Sequence, residues 1–326
     1  MNTFFAGELL MRLECEDLEH FCQADRFRIR YTGAEANAAL AMCALGAENI
    51  YLLSAVPDHP LGHSCLGEMR KYGADTSLVK LGSPRGRLGL FFLETGSALR
   101  PSQIIYDRAG SVFAETSAED FNFPGIFNKF PAPGWLHFSG TFPALGATAK
   151  TAAFAMVKAA KEAGYTVSFD LNYRSALWSA EEAGETFRQL AEYTDVLISN
   201  LQVAEAFLET PADKLCRRFG FQCVAYSLRE EEGAGQTSFG GGLLRSDGGC
   251  IEVPVRSFPV LDRVGGGDAF AGGMIYALQQ EWHDEYRLKF AVACGILKHA
   301  TRGDFSLSTR KNIESLLAGD SLAIRR

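Results

Sequence analysis

The chain has 326 residues, 47% of them hydrophobic and 22% charged. That is the balance of a water-soluble globule long enough to bury a sizeable core. A formal net charge of −7 argues against nucleic acid or an anionic membrane as principal partner, and no apolar run reaches transmembrane length. The opening residues lack a basic region followed by an apolar stretch, so the cytoplasm is the expected compartment. The eight cysteines include no C-x-x-C pair and no zinc spacing. They are expected as free thiols, and no metal site is expected among them.

In chain order, Phe4–Leu13, Phe27–Thr32, Leu88–Glu94 and Gln103–Asp107 read as strands with no helix between each consecutive pair. Residues from about 8 to 32 and 86 to 110 are therefore expected to form a small extra sheet, a lid over a site. Helical periodicity over Ala34–Leu45 and Leu61–Tyr72 returns the chain to a main layer. From Trp135 the pattern is regular: strand Trp135–Gly140, helix Ala147–Ala163, strand Thr166–Asp170, helix Ala180–Tyr193, strand Asp195–Ser199. Two more helical segments precede a strand at Gln222–Ser227. Short apolar strands spaced by helices predict a mainly parallel α/β sheet covered on both faces, within one domain spanning 1–326. The glycine-rich stretch from Gly233 to Gly242 is expected as a flexible hairpin flap. The end is helical: Asp268–Gln280, Asp284–Thr301 and Thr309–Leu317.

In such sheets ligands bind beyond the carboxyl ends of the strands. That makes candidates of Ser139, the run Asp170-Leu171-Asn172-Tyr173-Arg174, Asn200 and Ser227-Leu228-Arg229-Glu230. The most informative segment is Asp262-Arg263-Val264-Gly265-Gly266-Gly267-Asp268. Three glycines opening a helix expose backbone N–H groups at its positive end, which holds an anion well. An aspartate there is placed to stay ionised and act as a base. An anion cradle beside a general base is what phosphoryl transfer to a hydroxyl requires; the plainer alternative is a glycine-rich helix start capped by Asp268.

Gly33-Ala34-Glu35-Ala36-Asn37 stands at a strand-to-helix junction where small residues admit a polyol, and Asn37 can both donate to and accept from hydroxyls. Arg108 ends a lid strand after Tyr106, and Arg174 follows a main-sheet strand. Two guanidiniums from separate elements suit a bound carboxylate; the alternative is a pair of surface arginines. His137 reads as a core histidine. Neither a P-loop nor a dinucleotide-binding glycine pattern is present.

Taken together these segments resemble the PfkB (ribokinase-like) carbohydrate kinases. Val56-Pro57-Asp58, Arg100-Pro101-Ser102, Tyr106-Asp107-Arg108, Lys298-His299 and Gly303-Asp304-Phe305 extend the resemblance along the chain. They point to the branch that phosphorylates 2-keto-3-deoxygluconate at its terminal C6 hydroxyl. The resemblance implies a ribokinase-like fold with a small β-sheet lid, ATP and Mg²⁺ as cofactors, and a homodimer formed through the lid. It implies that Asp268 is the base and that Gly265, Gly266 and Gly267 form the anion hole. Gly33, Ala34, Asn37, Phe91, Tyr106, Arg108, Asn172 and Arg174 would hold the sugar acid, and Asn200, Ser227 and Arg229 would lie along the nucleotide. Four positions depart from the pattern: Thr32 replaces a glycine, Phe91 a tyrosine, Ser175 a proline, and Val203 an acidic residue that supports the metal. These departures leave two rivals, a kinase for another sugar or sugar acid and a catalytically weak sugar-acid sensor.

Overall fold

The computed structural model describes residues 1–97, 100–231 and 235–319. The first half runs β1 (Asn2–Ala6), β2 (Leu10–Cys15), β3 (Phe27–Thr32), α1 (Ala34–Ala44), β4 (Ile50–Leu53), β5 (Ala55–Pro57), α2 (Pro60–Lys71), β6 (Lys80–Gly82), β7 (Gly89–Glu94) and β8 (Gln103–Asp107). Three short helices follow, α3 (Val112–Glu115), α4 (Ala118–Phe121) and α5 (Phe123–Lys129). Then come β9 (Gly134–Ser139), α6 (Ala147–Glu162), β10 (Thr166–Asp170), α7 (Ala180–Ala191), β11 (Val196–Ser199), α8 (Leu201–Leu208) and α9 (Leu215–Phe219). The last third is β12 (Cys223–Glu231), β13 (Gln236–Arg245), β14 (Cys250–Pro259), α10 (Gly266–Leu278), α11 (Asp284–Lys298) and α12 (Arg310–Leu317).

The main sheet has the order β14-β13-β12-β11-β10-β9-β1-β4, parallel from β4 to β12 and antiparallel from β12 to β14. Its central strands are apolar along their whole length, as a sheet covered on both faces demands: every residue of β9 is buried. One face carries an aromatic core in which Phe138 and Phe169 stack with centroids 4.5 Å apart. Ala149, Ala152, Ala153, Met156 and Ala160 form the buried stripe of α6, and the alanines let that helix lie close to the strands. On the other face α1, α10 and α11 build a second core. A separate four-stranded sheet has the order β3-β2-β7-β8. It stands over the carboxyl ends of the main strands, since both line one cleft.

Two expectations are corrected. Phe4–Leu13 is not one strand: the chain breaks at Gly7-Glu8-Leu9, so β1 pairs inside the main sheet and β2 inside the small one. Apolar residues on both sides conceal that break, where Gly7 is needed because a Cβ there would run into the Glu35 carboxylate. The run from Gly233 to Gly242 is not a flap. Gly233 and Ala234 lie outside the described residues, and Gln236–Arg245 is a buried strand of the main sheet. Its glycines serve close packing, for a Cβ on Gly242 would meet the Tyr226 ring. The helices between Val112 and Lys129 were not foreseen, being too short to show a period.

Candidate active site

A cleft of about 940 Å³ lies between the two sheets, and every residue that the resemblance assigns to the site lines it, whereas Ser139, a candidate from its strand end, is buried and does not. Gly265 adopts a left-handed conformation with φ 86° and starts α10. Its missing side chain is required twice over, because a Cβ would also meet the Asp304 carbonyl. Gly266 and Gly267 form the first turn, whose amides have no acceptor within the helix. Asp268 follows them inside that turn.

Asp268 is held from one side. The Asn37 amide donates to its Oδ2 at 2.7 Å, and Thr32 Oγ1 donates to Asn37 Oδ1 at 2.9 Å. Thr32 thus fixes which way the amide points, so its hydroxyl supports the Asp268 carboxylate through Asn37. Asn37, expected on substrate hydroxyls, has one donor committed to Asp268. Burial lifts the Asp268 carboxyl to about 6, against the pull of Asn37 and Arg174. That lies nearer neutrality than its place at a helix N-terminus suggested.

Two further carboxyls neighbour it electrostatically, Glu35 buried and Asp170 partly so. Asp170, at the end of β10, is raised to about 7 by burial and then by Asp268. Glu35 is also raised to about 7 by burial, although its Oε1 accepts the Ser139 amide at 3.0 Å. Asn172, with φ 35°, donates its backbone N–H to Asp170 Oδ1 at 3.0 Å, which turns the chain so that Arg174 follows into the cleft.

Arg174 makes no ion pair among the described residues, and its charge is felt at both Asp170 and Asp268. Arg108 enters from the small sheet. Its Nε donates to Glu8 Oε2 at 2.7 Å, leaving the two terminal nitrogens, and its guanidinium lies 5.7 Å from the Tyr106 ring centroid. Glu8 also accepts from the Ser111 hydroxyl. Phe91 is buried beside Tyr106, centroids 5.7 Å apart, and Gly33 allows the chain to pass against the Glu8 carbonyl. Ala34 opens α1 at the same wall.

On the other side Asn200 caps α8, its Oδ1 accepting from Gln202 at 2.9 Å. Ser227 and Val203 line the cleft near it. Arg229 sits over the Phe239 ring at 5.2 Å and beside Gly267, where an added Cβ would lie 2.7 Å from its Nη2. It therefore lies beside the glycine turn. His137 is a core residue, its Nδ1 2.9 Å from Ser168 Oγ and its pKa pushed down to about 3 by burial. All eight cysteines are unpaired, and no described helix is long and apolar enough to cross a membrane.

The model of the pfkB family of carbohydrate kinases matches residues 3–310. The chain belongs to that family, and it is a carbohydrate kinase. Its fold is that of the family: the crystal structure of 2-dehydro-3-deoxygluconokinase from Thermotoga maritima superposes with a TM-score of 0.92. The two are 34% identical, covering 98% of this chain and 100% of that one. A 2-dehydro-3-deoxygalactonokinase of Haloferax volcanii is 33% identical over 98% of both chains. The 2-dehydro-3-deoxygluconokinase of Bacillus subtilis is 28% identical over 96% of this chain and 94% of its own.

Sequence reasoning assigned no role to several residues of this pfkB site. Glu8 hides at a strand break. Glu35, Asp262 and Asp304 sit within recognised motifs, but nothing in their spacing shows that they turn inward. Arg12 gives no signal at all, being the single cation of a mostly apolar strand.

Proposed function

We propose that the chain transfers the γ-phosphoryl group of ATP to the terminal C6 hydroxyl of 2-keto-3-deoxygluconate. The observation that carries this reading is the convergence, in one cleft, of a base at an anion-binding helix start with two guanidiniums from opposite walls. Asp268 takes the hydroxyl proton, and the amides of Gly265, Gly266 and Gly267, with Arg229 beside them, receive the charge of the phosphoryl group in flight. Arg174 and the terminal nitrogens of Arg108 grip the carboxylate, while Tyr106, Phe91, Gly33, Ala34, Asn37 and Asn172 shape the pocket for the carbon chain. Asn200 and Ser227 border the nucleotide. A neutral sugar gives the paired guanidiniums nothing to bind.

The described residues contain no group of three or more metal-ligating side chains, and Val203 offers no carboxylate. A Mg²⁺ brought by the nucleotide would neutralise phosphate charge, and Asp170 is a carboxylate of the same cleft that would support it. A second reading, the C4-epimeric 2-keto-3-deoxygalactonate, is favoured by the similarity to the Haloferax enzyme.

The small sheet acts as a lid, and its outward face joins a second copy of the chain. The unpaired cysteines suit a reducing compartment, the cytoplasm. An ATP/Mg²⁺ coupled assay over both epimers, other sugar acids and neutral sugars tests the assignment. Turnover confined to 2-keto-3-deoxy acids is expected. Preference for a neutral sugar would overturn it, and tight sugar-acid binding without turnover would make the protein a sensor.

A further inference from the structure

Arg12 is fully buried although it lies on a strand of the small sheet. Its Nη2 pairs with Asp262 Oδ2 at 3.1 Å and with Glu14 Oε1 at 3.0 Å, and its Nη1 pairs with Asp304. Asp262 is the residue from which the glycine turn departs. Its carboxylate accepts the amides of Val264 and Gly303, each at 3.0 Å. The Asp304 backbone carbonyl is the surface against which Gly265 packs. One guanidinium thus bridges the two loops that shape the phosphoryl cradle, and it reaches them from the other sheet.

The register of the small sheet says what else that sheet touches. Arg12 pairs with Phe91, and Phe91 pairs with Tyr106. Directly paired residues project on the same face, so Arg12, Phe91 and Tyr106 form one row across the sheet, facing the cleft. The row ends at Arg108 through the Tyr106 ring. A second contact runs parallel to it: Val264, just before the glycines, packs on Leu10, Phe91 and Leu93. The wall of the sugar pocket and the support of the anion hole are therefore one rigid strip.

We infer that Arg12 is a positioning residue through which the small sheet sets the phosphoryl cradle, so that sugar acid and nucleotide each favour the binding of the other. This rests on the proposed assignment of the two ligands to the two ends of the strip. Linkage requires the effect to be reciprocal. Lysine at this position keeps the charge but loses the planar fork that spans two carboxylates.

The test compares the wild type with Arg12→Lys. Binding of a non-transferable ATP analogue is measured by calorimetry with and without saturating sugar acid, alongside steady-state kinetics. The sugar acid is expected to tighten analogue binding at least fivefold in the wild type and less than twofold in the variant. The variant should keep its sugar-acid KM within threefold and lose at least tenfold in kcat, a split that mere loosening of the fold does not produce. In a second measurement the analogue alone should slow amide hydrogen exchange in β2 and β3, which it does not touch, at least threefold in the wild type only. That arm needs no sugar acid, so it decides the inference even if the substrate assignment fails in the panel. No coupling in the wild type, or undiminished coupling and kcat in Arg12→Lys, overturns it. Should Arg12→Lys not fold, Glu14→Gln loosens the same anchor from the sheet side, and undiminished coupling there overturns it equally.

Discussion

Around Asp268, burial raises the carboxyl to about 6 while Asn37, Arg174 and Arg229 restrain the rise, so the proposed base is ionised but not inert at neutral pH. Below pH 6 the protonated form should dominate, and kcat/KM should fall about tenfold per pH unit, read from a pH–rate profile. Asp268→Asn should lose about a hundred- to ten-thousand-fold in kcat while sugar-acid binding by calorimetry persists; turnover within threefold of the wild type would remove Asp268 from the base role. Arg174→Ala should weaken sugar-acid binding about ten- to a hundredfold, the worth of a charge-assisted hydrogen bond, with ATP binding little changed. Equal losses for both ligands would argue against a carboxylate grip. Glu35 and Asp170 carry a different consequence, because both are raised to about 7 in the folded protein. A carboxyl whose pKa rises on folding binds more protons folded than unfolded. Its stabilising contribution is therefore present at low pH and lost as pH climbs through the folded value. The ligand-free protein should lose melting temperature between about pH 5 and pH 7.5, and Glu35→Gln should flatten that slope in scanning calorimetry. A melting temperature that rises across this window would contradict the buried state of these groups.

The glycine turn is an element whose geometry, more than its composition, makes it a cradle. Gly265→Ala combines a left-handed φ with a Cβ aimed at the Asp304 carbonyl, and both penalties act on the same turn. Strain of about 1–3 kcal/mol for the backbone alone is expected. Turnover should collapse and thermal stability drop together. Gly267→Ala meets only the end of the Arg229 side chain, so it should cost activity with little loss of stability. If the two variants behaved alike, the turn would be tolerant backbone and not a fixed anion hole. The helix after these glycines was legible because local chemistry decides it: glycines, an acidic first turn and an apolar stripe agree. The β1–β2 break was not legible, since Phe4, Phe5 and Leu10 are all buried, in two different sheets, and Leu9 between them is buried too. Hydrophobicity reports burial but not which sheet does the burying. The glycines of β13 misled for a related reason: in sequence they read as freedom, whereas in the sheet they make room for Tyr226 and Phe270.

Across the whole molecule, what the sequence could not show is contact at long range. Arg12 and Asp304 meet across 292 positions of chain, and no local pattern marks either as the other's partner. The cleft-facing residues were found because strand ends and motifs announce themselves; their supports were not, because packing alone selects them. The same alternation that points Arg12 inward points its neighbours outward. Ile29, Leu13, Phe92 and Ile105 are paired in turn across the small sheet and so form a row on its far face. Ile29 and Ile105 are 52% and 54% exposed there, and Phe27 is 38% exposed. A row of exposed large apolar side chains on a small sheet with open edges is a liability unless covered. We propose that a second copy covers it by the same surface, since a two-fold contact needs only one self-complementary patch. The wild type should therefore sediment as a dimer at micromolar concentration. The Ile29→Lys, Ile105→Lys double variant places charge at both ends of the row without touching the cleft face. It should sediment as a monomer with its melting temperature lowered. Its sugar-acid KM should rise, because the sheet that carries Phe91, Tyr106 and Arg108 would lose the contact that steadies it. A wild-type monomer, or a double variant that remains dimeric with unchanged KM, would show that this face is covered by nothing and that the small sheet holds its shape alone.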